Sequence, residues 1–108
     1  MGNVLDLKVS KDAVLEIYEL YAQKHACAAR AMQDDCDNVR AYGDLYKQSI
    51  HWKTVMYIDS QIEEKLIELD EQGKTLVAYK IRHALALSSL SPSRLLKVLE
   101  VCGVQYDS

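Results

Sequence analysis

NVRAYGDLYKQSIHWKTVMYIDSQIEEKLIELDEQ, residues 38–72, is the stretch whose reading decides the fold. In its first half the apolar side chains Tyr42, Leu45, Tyr46, Ile50, Trp52, Met56 and Tyr57 gather on one side of a helical wheel. In its second half Val55, Ile58, Ile62, Leu66 and Leu69 gather roughly 150° away. Around Trp52–Ile58 both sides are apolar. Two readings fit. In one the chain breaks at Asp59–Ser60, because Ser60-x-x-Glu63 is a capping-box pattern. In the other one long helix passes from one packing partner to another and presents opposite faces at its two ends, as interlocked helical dimers do. Both readings make the segment helical.

The flanks agree. Upstream, Ser10 is a good N-cap, with Asp12 in the first turn where the helix dipole favours an acid. From there to about Gln33 one helix is expected. Glu16, Glu19, Gln23, Arg30 and Asp34 form a narrow solvent strip. Val14, Ile17, Tyr18, Tyr21, His25, Ala28, Ala29 and Met32 fill the opposite side, an apolar arc wide enough to need cover from two directions. Asp34, Asp35 and Asp37 predict a break near 34–37, since acids disfavour a helix C-terminus and favour the next N-terminus. The alternative is one continuous helix. Downstream, Gly73 reads as a C-cap. A helix over Lys74–Ser89 carries two apolar stripes, Val77/Ile81/Ala84/Leu85 and Leu76/Tyr79/His83/Leu87/Leu90. Ser91-Pro92 starts a last helix, with Leu95, Val98, Leu99 and Cys102 inward, and Gly103 ends it.

The chain of 108 residues and 12.3 kDa has room for one domain. One Pro and four Gly exclude a turn-rich β-sandwich. Apolar residues at 49% and charged residues at 27% exclude intrinsic disorder. The expected architecture is an all-α bundle of four or five helices, with long helices and an intermolecular helical interface. The helical domain spans 10–103, between tails at 1–9 and 104–108. Cys27, Cys36 and Cys102 form no C-x-x-C pair, and no leader pattern opens the chain, so a cytoplasmic protein with reduced thiols is expected. No apolar run reaches the roughly 20 residues that span a bilayer, so no membrane is expected.

Charge is uneven. The net charge of −3 divides into −6 over residues 1–72 and +3 over residues 73–108. This excludes a chain that is basic all over, but not a basic end.

His25, His51 and His83 fall one per helix. No two stand at i, i+3 or i+4, so no half-site for a metal is preformed, and no metal or other cofactor is expected. Glu16-x-x-Glu19 with Asp34-x-x-Asp37 resembles the paired carboxylates of MazG-type nucleotide pyrophosphatases. That likeness implies Mg²⁺ held on a nucleoside triphosphate. The wheel instead puts Glu16, Glu19 and Asp34 on the solvent strip, so no catalytic residue is assigned and no enzyme is expected. Burial of Cys102 and Cys27 would leave both thiols inert.

Ala84–Leu99, ALALSSLSPSRLLKVL, is similar to the helix-turn-helix of AraC-like bacterial activators through Leu90-Ser91-Pro92-Ser93-Arg94-Leu95. Over residues 84–102 this resemblance implies a DNA-binding regulator, with Ser93, Arg94 and Lys97 facing outward toward phosphates and base edges. In this chain Ser89 stands where the turn is usually Gly, and Leu85 where a small residue belongs.

The seven Tyr beside no Phe suit an interface, where an apolar ring and a wet hydroxyl are both useful. The expected protein interface is Tyr18, Tyr21 and Met32 with Tyr46, Trp52, Met56 and Tyr57. The expected function is that of a small non-enzymatic regulator, adaptor or inhibitor, of the kind carried by phages and mobile elements. It would self-associate, a dimer being favoured, and bind a further, unidentified protein partner. DNA binding is the first alternative, the Mg²⁺-dependent pyrophosphatase the second.

Overall fold

The computed structural model describes residues 6–87 and 91–107. Ser10 accepts a hydrogen bond from the Asp12 amide at 3.2 Å and opens helix α1, Lys11–Tyr42. At 32 residues α1 is about 48 Å long. It runs straight through the acidic cluster, so the break expected near 34–37 is absent. The acids serve a helix N-terminus after all, but through space. Asp35 Oδ1 accepts from the Ser49 amide at 2.6 Å, and Asp34 Oδ2 accepts from Ser49 Oγ at 2.8 Å. Ser49 immediately precedes the N-cap residue, Ile50, of helix α2, His51–Glu71.

The true interruption is at 43–50. Gly43 takes φ 56°, a left-handed conformation that favours Gly, and donates its amide to Val39 O. A 3-10 turn at Gly43–Leu45 follows. Helix α2 then passes unbroken through Asp59–Ser60, where the capping box was expected. The Ser60 hydroxyl donates back to Met56 O at 3.1 Å instead of capping. So neither reading of residues 38–72 holds. The two apolar sectors differ because Tyr42, Leu45, Tyr46 and Ile50 precede α2, while Trp52, Met56 and Tyr57 stand on other sides of α2 than the buried Ile58, Ile62, Leu66 and Leu69.

At Gly73 (φ 79°), Gly73 donates to Asp70 O at 3.0 Å and Lys74 to Leu69 O at 2.8 Å, a Schellman cap. Helix α3 follows over Thr75–Leu85, shorter than the expected Lys74–Ser89; Ser88–Leu90 lie outside the described residues. Ser91 accepts from the Arg94 amide at 3.2 Å and starts helix α4, Pro92–Val101. Gly103 (φ 97°) repeats the Schellman cap, with Val104 donating to Leu99 O at 2.9 Å.

The two expected tails meet. Strand β1, Lys8–Ser10, pairs in parallel with strand β2, Gln105–Asp107, Val9 opposite Tyr106. Val9 and Val104 are buried there with Val14, Leu95 and Leu99. Among the described residues the fold is therefore predominantly helical, four helices with one small ladder tying residues 8–10 to 105–107. A strand of three residues shows no alternation to read, which is why the sequence did not reveal it.

The core gathers at that end, among β1, β2, α3, α4, the start of α1 and the end of α2. The other ends of α1 and α2 project as a hairpin arm. The molecule measures 57 × 26 × 18 Å, and its radius of gyration is 17.0 Å. A compact chain of this length would have about 13 Å.

Candidate protein-docking surface

The arm is held by polar contacts more than by apolar burial. Lys24–Asp59 (2.9 Å) and Glu16–Lys65 (3.2 Å) join α1 to α2. Nearer the tip, Trp52 Nε1 donates to Asp35 Oδ2 at 2.7 Å, and Cys27 Sγ donates to His51 O at 3.4 Å. Asn38 Nδ2 closes the turn on Lys47 O at 3.1 Å. Among these, Ala31, Ser49 and Ile58 are buried.

These contacts define a seam on α1. Lys24, Cys27, Ala31, Asp34 and Asn38 follow steps of three and four and face α2. One residue further round, Tyr21, His25, Ala28, Met32, Val39 and Tyr42 form a second seam of the same rhythm, with Asp35 at its middle step. In the arm this second seam is open: Met32, Val39 and Tyr42 are exposed. On α2, Trp52, Met56, Asp59 and Glu63 follow the same steps beside it. Around the turn, Leu45 is 85% exposed and Ile50 79%. Asp34, expected on the solvent strip, is half-buried against α2. Met32, Ala29 and His25, expected under cover, are exposed. Helix α2 lies against the edge of the apolar arc because its polar N-terminus needs Asp34 and Asp35.

Of the seven expected interface residues, Met32, Tyr46, Trp52, Met56 and Tyr57 belong to the arm. Met56 and Tyr57, 100° apart on α2, look to different sides. Tyr18 and Tyr21 pack half-buried on the core. Leu45 and Ile50 were not chosen from the sequence; Gly43, taken as a C-cap, would have marked them as apolar residues in a turn.

At the base of the arm the second seam leads into a groove of about 570 Å³ between α1, α2 and α3. Its apolar lining includes Ala28, Ile62, Leu66 and Leu85, with Tyr21 and His25 on one wall. The ion pairs Lys24–Asp59 and Arg82–Glu63 edge it.

The other expected sites do not assemble. His25 stacks edge-on to Tyr21 with centroids 4.4 Å apart, His83 sits 4.4 Å from Tyr79, and His51 Nε2 lies 3.5 Å from Asp34. Among the described residues no three His, Cys, Asp or Glu are placed to hold a metal ion. Glu16 and Asp34 stand 18 residues apart on one helix, about 27 Å, so the two carboxylate pairs of one chain cannot share a Mg²⁺. Cys102, expected inward, is exposed just past the end of α4, and Cys36 is exposed on α1; Cys27 is half-buried.

Ser93, Arg94 and Lys97 are exposed on α4 while Leu95 and Leu99 are buried. Helix α3 ends at Leu85 and α4 begins at Pro92, and Ser88–Leu90 of the expected turn lie outside the described residues. Ser93 and Lys97 share a cleft with Lys11, Glu100 and Tyr106. The Tyr106 hydroxyl donates to Leu96 O at 2.7 Å, and the Lys11 ammonium sits 5.8 Å from its ring centroid. Burial first, then the Glu100 carboxylate, push the Tyr106 phenol up to about 12.

Among the described residues no helix is long and apolar enough to cross a membrane. No family model, curated protein or solved structure matches this chain.

Proposed function

We propose that this chain is a helical interaction protein that acts by association, as a small regulator, adaptor or inhibitor, and self-associates through its arm. The observation that carries the reading is the exposed apolar surface of the arm. Leaving out Tyr57, which looks to another side of α2, Met32, Val39, Tyr42, Leu45, Tyr46, Ile50 and Met56 leave on the order of 900 Å² accessible, taking about 150–250 Å² for each large side chain. A stable interface takes about 800 Å² per partner, and ordinary monomers keep their largest apolar patch to about 300–600 Å². The arm also spends its polar contacts on staying rigid, which lowers the entropy lost on docking.

Light scattering at micromolar concentration tests this. A mass twice 12.3 kDa is expected, falling to 12.3 kDa in Leu45→Lys/Ile50→Glu with helix content unchanged. A 12.3 kDa mass for the unaltered protein refutes it.

One observation favours a second reading. Ser93, Arg94 and Lys97 are exposed together on a capped helix, as DNA contacts require. Binding to duplex DNA that weakens steeply with salt and is lost in Arg94→Ala/Lys97→Ala supports that reading. No binding at low salt removes it.

A further inference from the structure

We propose that the groove at the base of the arm receives the arm tip of a second copy of this chain, so that two arms lie antiparallel and each tip fills the other's groove. This rests on the reading of the arm as a self-association surface and adds the occupant and its direction. The first argument is continuity. The open seam of α1, Tyr21, His25, Ala28, Met32, Val39 and Tyr42, begins inside the groove and ends at the tip. One line of side chains, interrupted at its middle step by Asp35, whose carboxylate is held by Ser49 and Trp52, therefore joins a concave end to a convex end. Two strips laid parallel would set groove against groove and leave both hollow. Laid antiparallel, each projecting tip meets a hollow.

The second argument is length. Tyr21 to Tyr42 is 21 residues, about 32 Å of helix. Seating Tyr42 over the partner's Tyr21–His25 puts the two-fold axis midway, beside Met32. Met32 is 58% exposed and stands on the open seam, where an axis contact belongs. Ala28 and Ala29 then lie opposite the partner's Cys36 and the partner's Asp35, and their small size lets the two helices approach.

The third argument is area. The antiparallel arrangement covers the arm's exposed apolar seam and the exposed His25 and half-buried Tyr21 and Ala28 on the groove's wall, over a floor of Ile62, Leu66 and Leu85 that is already buried. The protein then makes one four-helix assembly from two hairpins, of the kind that long helices with short connections form.

Disulfide trapping tests the direction. In a Cys27→Ser/Cys36→Ser/Cys102→Ser background, Met32→Cys is expected to cross-link to its own copy under mild oxidation. Tyr42→Cys alone is expected not to. Tyr42→Cys mixed with His25→Cys is expected to give the heterodimer. Light scattering on the same proteins reads the mass independently of cross-linking. Self-cross-linking of Tyr42→Cys as fast as Met32→Cys overturns the proposal in favour of parallel arms. A dimer in which no pair cross-links overturns it and leaves the arm reading standing. A monomer overturns both.

Discussion

Replacing Asp35 by Ala removes the acceptor that joins the start of α2 to α1. The carboxylate takes two hydrogen bonds, from the Ser49 amide at 2.6 Å and from the Trp52 indole at 2.7 Å. Ser49 is buried, at 7% exposure, so its amide cannot turn to water when the carboxylate is gone. Leaving such a donor unsatisfied costs about 1–3 kcal/mol. The half-buried indole recovers part of its loss by solvation, which adds about 1 kcal/mol. The total is about 2–4 kcal/mol. The arm tip has little apolar burial to hold it, because the nearest buried apolar side chains on the two helices are Ala31 and Ile58, and its other fastenings are the single hydrogen bonds of Asp34, Asn38 and Cys27. The loss is therefore local: the tip opens while the core end stays folded. Amide hydrogen exchange reads this directly. Peptides covering 43–55 should lose protection by roughly 30-fold to several hundredfold, at about 1.4 kcal/mol per factor of ten. Peptides covering 77–85 and 95–104 should keep theirs. Asp35→Asn retains one acceptor oxygen and should lose less. Unchanged exchange at 43–55, or an equal loss in both regions, would show that Asp35 is not what fastens the arm.

Three further outcomes follow from single contacts. The Tyr106 phenol has its folded pKa raised to about 12 from an ordinary 10.0. The folded state therefore holds this proton more tightly, and stability falls as pH rises from about 10 to about 12. Denaturant midpoints across that range should show a slope that is smaller in Tyr106→Phe; equal slopes would contradict the raised pKa. Gly103→Ala forces a Cβ into φ 97° and within 3.5 Å of Leu7 Cδ1. It should cost about 1–2 kcal/mol by urea denaturation, with the parallel ladder exchanging faster; an unchanged midpoint would deny the cap its role. Leu95→Ala, at a fully buried position beneath α4, should cost about 2–5 kcal/mol in the same assay, whereas Met56→Ala in the monomeric arm variant should cost under about 1 kcal/mol.

What the sequence made legible is what the backbone decides locally. Ser10 and Ser91-Pro92 start helices because their hydroxyls reach amides two or three residues on, and Gly73 and Gly103 end them because the chain turns left-handed there. None of that needs a distant partner. The misplaced features all do. Asp34 and Asp35 look like helix breakers until Ser49 and Trp52, 15 to 17 residues on, supply donors. Strand β1 has no pattern of its own and exists because β2 returns beside it from the far end of the chain.

The candidate docking surface was half legible for the same reason. A helical wheel sums side chains by angle, and the two seams of α1 stand only one residue apart. Read together they make one wide apolar arc, which predicts cover from two sides but not which side α2 takes; in the arm α2 covers one side, and Met32, Val39 and Tyr42 on the other are exposed. The choice rests on the polar residues. Lys24, Asp34 and Asn38 find partners on or just before α2, and so turn the more apolar seam outward, apart from Asp35, which bonds Ser49 and Trp52. A helix that docks through its polar residues and leaves Met32, Val39 and Tyr42 in water has its apolar surface aligned for a second association.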